Sequence, residues 1–121
     1  MKNLGKKTNL ILRDLVETLL KYSREQKAEI WRQVAEELLK PTRKRRAVNI
    51  SKINRYTGSG DYVIVPGKVL GSGDLDHAVT VAALSFSKTA LEKINRAGGR
   101  AISIFELLRE NPKGSNVKII G

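Results

Sequence analysis

The chain has no cysteine, one histidine at position 77, one tryptophan and three prolines among its 121 residues. Without thiols there is no disulfide, no thiolate zinc site and no cysteine nucleophile, which agrees with a reducing compartment without proving one. A solitary His77 leaves little from which to build a histidine-rich metal centre. No stretch approaches the roughly 20 apolar residues that cross a bilayer, and the opening MKNLGKKTNL lacks the apolar run of a secretory signal. The expected setting is therefore cytoplasmic, with no membrane partner. Acidic residues are also scarce, 12 against 23 Lys and Arg, for a formal net charge of +11. A compact domain with that excess repels itself unless a polyanion lies alongside, so nucleic acid is the first partner to test.

What is present suffices for a fold. Hydrophobic residues make up 40% of the chain and charged residues 29%, enough for one modest core. No repeat, low-complexity tract or long linker divides the sequence, so residues 1–121 form one expected domain. The charge is clustered. Residues 1–13 hold four positive and no negative side chains, and residues 41–60 hold six and none. By contrast residues 14–40 are mixed, five against six. Clusters raise the local potential where phosphates approach, whereas interspersed signs cancel within a Debye length. This marks a basic arm at 1–8 and a basic loop at 40–47. A solvated loop without a partner is the plain alternative, but four adjacent cations from Arg43 to Arg46 repel one another unless a counter-charge is present.

Apolar spacing predicts a first helix from Asn9, with Leu12, Leu15, Val16, Leu19 and Leu20 on one face and Thr8 or Asn9 as its cap. After the polar stretch from Ser23 to Lys27, Ile30, Trp31, Val34, Ala35, Leu38 and Leu39 mark a second helix that Glu29 opens and Pro41 ends. Val48 and Ile50 suggest a short extended piece, and Ser51 a cap for a brief helix through Ile53 and Tyr56. YVIV reads as a buried strand stopped by Pro66, and VTVAALSF as a second buried strand. Ser87 caps a helix carrying Ala90, Leu91, Ile94 and Ala97, closed by Gly98. RAISI forms a short strand, Ser103 and Glu106 have capping-box spacing, Asn111 and Pro112 end that helix, and VKII forms a last strand. The alternation predicts an α/β fold.

The loop PGKVLGSGDLDH invites a phosphate-binding reading, because Gly67, Gly71 and Gly73 let backbone approach something closely. It fails as a P-loop, since Lys68 is followed by Val69, and it fails the dinucleotide fingerprint, since Asp76 stands at the third glycine position. Lys68 inside this loop would still be placed to meet an RNA phosphate. Asp61, Asp74, Asp76 and His77 could be imagined as a metal-dependent nuclease centre. Three of the four sit in turns, where Asp serves by bonding nearby amides, and His77 fits a surface or strand-edge position. Trp31 and Phe105 fall on apolar faces, so the aromatics suit a core better than a platform for single-stranded bases. A helix-turn-helix DNA binder is the other rival, and Glu29, Glu36 and Glu37 on the second helix count against it.

The stretches AVNISKINRY, VIVPGKVLGSGDLDHAVTVAALSFS and ENPKGSNVKIIG, together with KTNLILRDLVETL and a tryptophan-bearing helix running into KPTR, span nearly the whole chain. In combination they resemble the archaeal and eukaryotic large-subunit ribosomal protein family numbered eighteen-e, at an archaeal-type length. The resemblance implies a fold related to ribosomal protein fifteen, with two N-terminal helices followed by an irregular superhelix of short strand-strand-helix units. It further implies a structural place on the large ribosomal subunit against ribosomal RNA, and leaves contact with neighbouring large-subunit ribosomal proteins open. No catalytic residue, metal, cofactor or small-molecule substrate comes with it. From charge, the expected phosphate contacts are Lys2, Lys6, Lys7, Arg43, Lys44, Arg45 and Arg46, then Lys52, Arg55, Lys68 and Lys113. Arginines grip phosphate oxygens in pairs and lysines act as point charges.

Overall fold

The apolar spacing of the first forty residues closes into a helical hairpin in a computed structural model, which describes residues 2–40 and 47–121, the first nine of these by backbone alone. Helix α1 (Lys2–Gln26) and helix α2 (Glu29–Leu39) face each other through Leu15, Val16 and Leu19 on one side and Trp31, Val34, Ala35 and Leu38 on the other. Lys27, at φ 53°, turns the chain between them. The first helix begins seven residues before the expected start at Asn9 and continues through the polar stretch to Gln26. Thr8 and Asn9 are therefore interior residues and not caps. The preceding lysines and Leu4 favour helix, and a lone Gly5 costs only about 1 kcal/mol. Polarity at Ser23 to Gln26 reports exposure, not a helix end.

The rest of the chain alternates strand and helix, as the α/β reading expects. Strand β1 (Val48–Asn49) leads into α3 (Ile50–Tyr56), followed by β2 (Tyr62–Leu70), β3 (Thr80–Phe86), α4 (Lys88–Arg96), β4 (Arg100–Ser103), α5 (Ile104–Glu110) and β5 (Val117–Ile119). All strand pairs are parallel, in the order β1-β2-β3-β4, with β5 also on β2. Val48 and Asn49 pair with Val69 and Leu70, whereas Val117 to Ile119 pair with Tyr62 to Ile64. The first and last strands thus lie end to end along one edge of β2.

Parallel sheets are covered on both faces, which explains the unbroken apolar run YVIV. Ile64, Ala82 and Ile102 pack with the hairpin and α5. Val63, Val65, Val81 and Ala83 pack the other way, with Ile53 of α3 and Ala90 and Ile94 of α4. Ser87 caps α4 by accepting from the Ala90 amide, and Ser103 with Glu106 forms the expected capping box of α5.

Three expectations need correction. Pro66 does not stop β2, which runs on to Leu70. Residues 66 and 67 oppose Leu84 alone between the pairs Val65 with Ala83 and Lys68 with Ser85, so proline occupies a bulge, where the ladder needs no N–H from it. Ser51 is not a cap. Asn49 holds that position without a side-chain bond, and the Ser51 amide instead donates to the Ser72 carbonyl at 3.1 Å. The far end of β3 is not buried either, since Leu84 and Ser85 are exposed.

Candidate nucleic-acid interface

The described cations divide by whether a carboxylate already holds them. On α2, Arg32 bonds Glu29 and also reaches Glu36 at 3.5 Å, and Lys40 meets Glu37 at 3.0 Å. Lys21 and Glu25 pair along α1 at 3.8 Å, Arg100 grips Glu110 with both terminal nitrogens, and Lys118 lies 3.0 Å from Asp61. These contacts register on the acids. The Arg32 guanidinium holds the Glu29 carboxyl below its ordinary value, and Arg100 does the same to Glu110. For Asp61 the amide of Gly58 is the main cause and Lys118 the next. Cations neutralised in this way have little charge left for a phosphate.

Lys52, Arg55, Lys68 and Lys113 belong to the other group, for none has a carboxylate partner among the described residues. Lys52 and Arg55 stand one turn apart on α3. The Lys52 ammonium reaches only the Gly121 carbonyl, at 3.5 Å, and the Arg55 guanidinium lies 5.9 Å from the centre of the Tyr56 ring. Lys68 is an exposed residue of β2 beside Ser85, so it lies in a strand and not in the glycine-rich loop where it was expected. Lys113 is exposed in the turn that feeds β5.

The four do not form a single patch. Lys68 is near the C-terminal end of β2, and Lys113 enters at the opposite end, where Val117 pairs with Tyr62. Lys2, Lys6 and Lys7 occupy the first two turns of α1, a helix start without an acidic residue. Arg43, Lys44, Arg45 and Arg46 lie outside the described residues. Sequence reasoning passed over Lys88 and Arg96, exposed on α4 and likewise without a carboxylate partner among the described residues. The signal was available, since KTALEKINR has three cations to one Glu. The third, Lys93, donates to the carbonyls of Gly71 and Gly73 at 2.7 and 2.6 Å.

That bond shows what the glycines approach. A Cβ on Gly71 would lie 2.6 Å from the Thr89 side chain, and one on Gly73, at φ +91°, would lie 2.4 Å from Ser51 Cβ. The loop is seated against the starts of α3 and α4, so its close approach is to the protein itself. The NPKGS turn is similarly occupied. Trp31 Nε1 donates to the Pro112 carbonyl at 2.7 Å, and a Cβ on Gly114 would meet Ile30 at 2.5 Å. Lys113 is the outward residue of that docked turn.

The acidic cluster also has structural work. Asp61 accepts from the Gly58 amide at 2.8 Å, closing a turn. His77 Nδ1 contacts Asp76 at 2.7 Å, and its Nε2 lies 2.7 Å from the Thr57 hydroxyl, which itself donates to the Ile53 carbonyl. With a side chain only 16% exposed, His77 is a linking residue and not the surface residue expected. Among the described residues no group of three or more His, Cys, Asp or Glu is placed to hold a metal, and no helix is long and apolar enough to cross a membrane.

A family model that groups the ribosomal proteins 50S-L15 and 50S-L18e with their 60S counterpart matches residues 27–102, more than half of the chain. Among curated proteins the chain is similar to "Large ribosomal subunit protein eL18" of Methanothermobacter thermautotrophicus, 54% identical over 114 residues and 94% of each chain. Proteins of the same name are 52% identical in Sulfurisphaera tokodaii, over 93% of this chain and 92% of that one, and 50% identical in Archaeoglobus fulgidus, over 95% and 98%. The matched span holds the loop seated by Lys93 and the paired α2, and the longer alignments reach nearly end to end. The chain belongs to the eL18 family of large-subunit ribosomal proteins.

Proposed function

We propose that the chain is a structural, non-enzymatic constituent of the large ribosomal subunit in the cytoplasm, and that it stabilises folded ribosomal RNA through cations which no carboxylate neutralises. Family membership supports the ribosomal role. The carrying observation for RNA contact is the division of the cations, with Lys52, Arg55, Lys68 and Lys113 unpaired among the described residues while those of α2 are tied to its glutamates. Lys2, Lys6 and Lys7 add positive charge to the positive end of the α1 dipole, an arrangement that an adjacent phosphate relieves. Arg43, Lys44, Arg45 and Arg46 join them on charge alone.

Spread over both ends of the sheet, these positions suit a protein set among several RNA segments better than one lying on a single duplex. Arginine and lysine contacts to phosphate position such a protein without reading bases. Contact with neighbouring ribosomal proteins would fall on Ile11 and Leu39, 58% and 67% exposed, the latter lining a groove with Leu12 and Val16.

Sedimentation of a cell lysate probed for the chain tests the assignment. The chain should travel with large subunits at moderate salt and move to the top of the gradient at high salt. A chain that stays at the top under both conditions contradicts the proposal.

A further inference from the structure

Tyr56 is the exposed exception among the aromatics. The chain has six, all described, and of these Trp31 is fully buried, Tyr22, Tyr62, Phe86 and Phe105 are half-buried, and Tyr56 is 54% exposed at the end of α3. Its ring lines a cleft of about 380 Å³ whose other walls are Lys52, Lys118, Ile119, Ile120 and Gly121. Lys118 is held in that wall, donating to the Tyr56 carbonyl at 3.1 Å as well as pairing with Asp61. Lys52 is less constrained, with a 3.5 Å contact to Gly121 at the limit of a hydrogen bond. Arg55 borders the same ring at a distance where a cation is attracted to the π face.

An apolar wall, an accessible ring and two cations without described carboxylate partners, all from one turn of helix and one strand, are the elements that hold an unstacked nucleotide. The ring offers a π surface that any base can use, the isoleucines exclude water from one edge, and the cations meet the flanking phosphates. We infer that the cleft between α3 and β5 receives a single extrahelical nucleotide of the large-subunit RNA, stacked on Tyr56 with its phosphates at Lys52 and Arg55. This rests on the reading of the chain as an RNA-bound protein and adds a base contact to one otherwise made through the backbone. The sequence alone argued against a stacking platform, because it places no run of aromatics on a strand, and here the platform is one residue at a helix end.

The test uses the full chain and large-subunit ribosomal RNA as the probe. Tyr56→Phe should bind within about twofold of the parent. Tyr56→Ala should lose roughly 5- to 100-fold in affinity, the range measured for one stacked base, while the slope of affinity against salt stays the same. Ultraviolet irradiation of the parent complex should leave a nucleotide adduct on the peptide containing Tyr56. Because Tyr56 is exposed, the Ala variant should retain the parent's urea midpoint. If Tyr56→Ala binds like the parent, and a Lys68→Gln control still weakens binding, the cleft assignment is wrong and the RNA reading stands. Failure of the parent itself to bind would overturn both.

Discussion

Trp31→Ala should remove about 3 to 5 kcal/mol of folding stability, read as a large fall in the urea midpoint. The side chain is fully buried between the α1 stripe and the C-terminal turn. Its truncation removes a large apolar surface, leaves a cavity where neighbours relax only in part, and deprives the Pro112 carbonyl of the indole donor 2.7 Å away. Gly114 makes the site still less forgiving, because its backbone passes so close to Ile30 and Trp31 that a Cβ there has no room. Trp31→Phe isolates the hydrogen bond and the smaller volume change, and should cost less. Leu39→Ala is the contrasting case, two turns on in the same helix but 67% exposed, and should shift stability by no more than about 0.5 kcal/mol. Similar midpoints for Trp31→Ala and Leu39→Ala would mean that the turn is not docked on α2.

Affinity for ribosomal RNA should fall by about 1,000-fold or more between low and moderate salt if roughly 6 to 10 phosphates are neutralised. The physical cause is release of condensed counterions, so the effect follows the number of cations at phosphate rather than the net charge of +11. Replacing Arg43, Lys44, Arg45 and Arg46 together with Gln should reduce the slope of log affinity against log salt by about 3 to 4, near one for each phosphate no longer neutralised. It should also weaken incorporation into large subunits. Folding stability should stay close to the parent's, since the four replacements lie outside both core clusters. An unchanged slope would remove the loop from the interface.

Much of the fold could be read from local chemistry. Where a residue's task is settled within a turn or two, as with Ser87, the capping box of Ser103 and Glu106, or the apolar stripe of α2, the expected and observed elements coincide. The failures arise where a distant partner decides. Pro66 is a strand breaker by local rules, and only the unequal count of residues facing β3 makes it acceptable. Gly71 and Gly73 were correctly read as permitting close approach, but the object approached is α3 and α4, which no spacing along the chain discloses.

The candidate interface shows the same limit. Pairing of Arg32 with Glu29 and Glu36 is legible from helical spacing, whereas Arg100 with Glu110 and Lys118 with Asp61 require the folded sheet. Charge runs therefore located basic segments without distinguishing available cations from neutralised ones. Tyr56 was missed for a related reason, because its exposure depends on how α3 lies against β5.

Two variants of identical net charge test the central claim most directly. In one, Lys52, Arg55, Lys68 and Lys113 become Gln; in the other, Lys21, Arg32, Lys40 and Arg100 do. The measurement is the slope of log affinity for large-subunit RNA against log salt. The account predicts that the first variant lowers the slope by about 3 to 4 and the second by less than about 1. Equal slopes for the two variants would show that only total charge matters, and would contradict the claim that cations without carboxylate partners are the ones at phosphate.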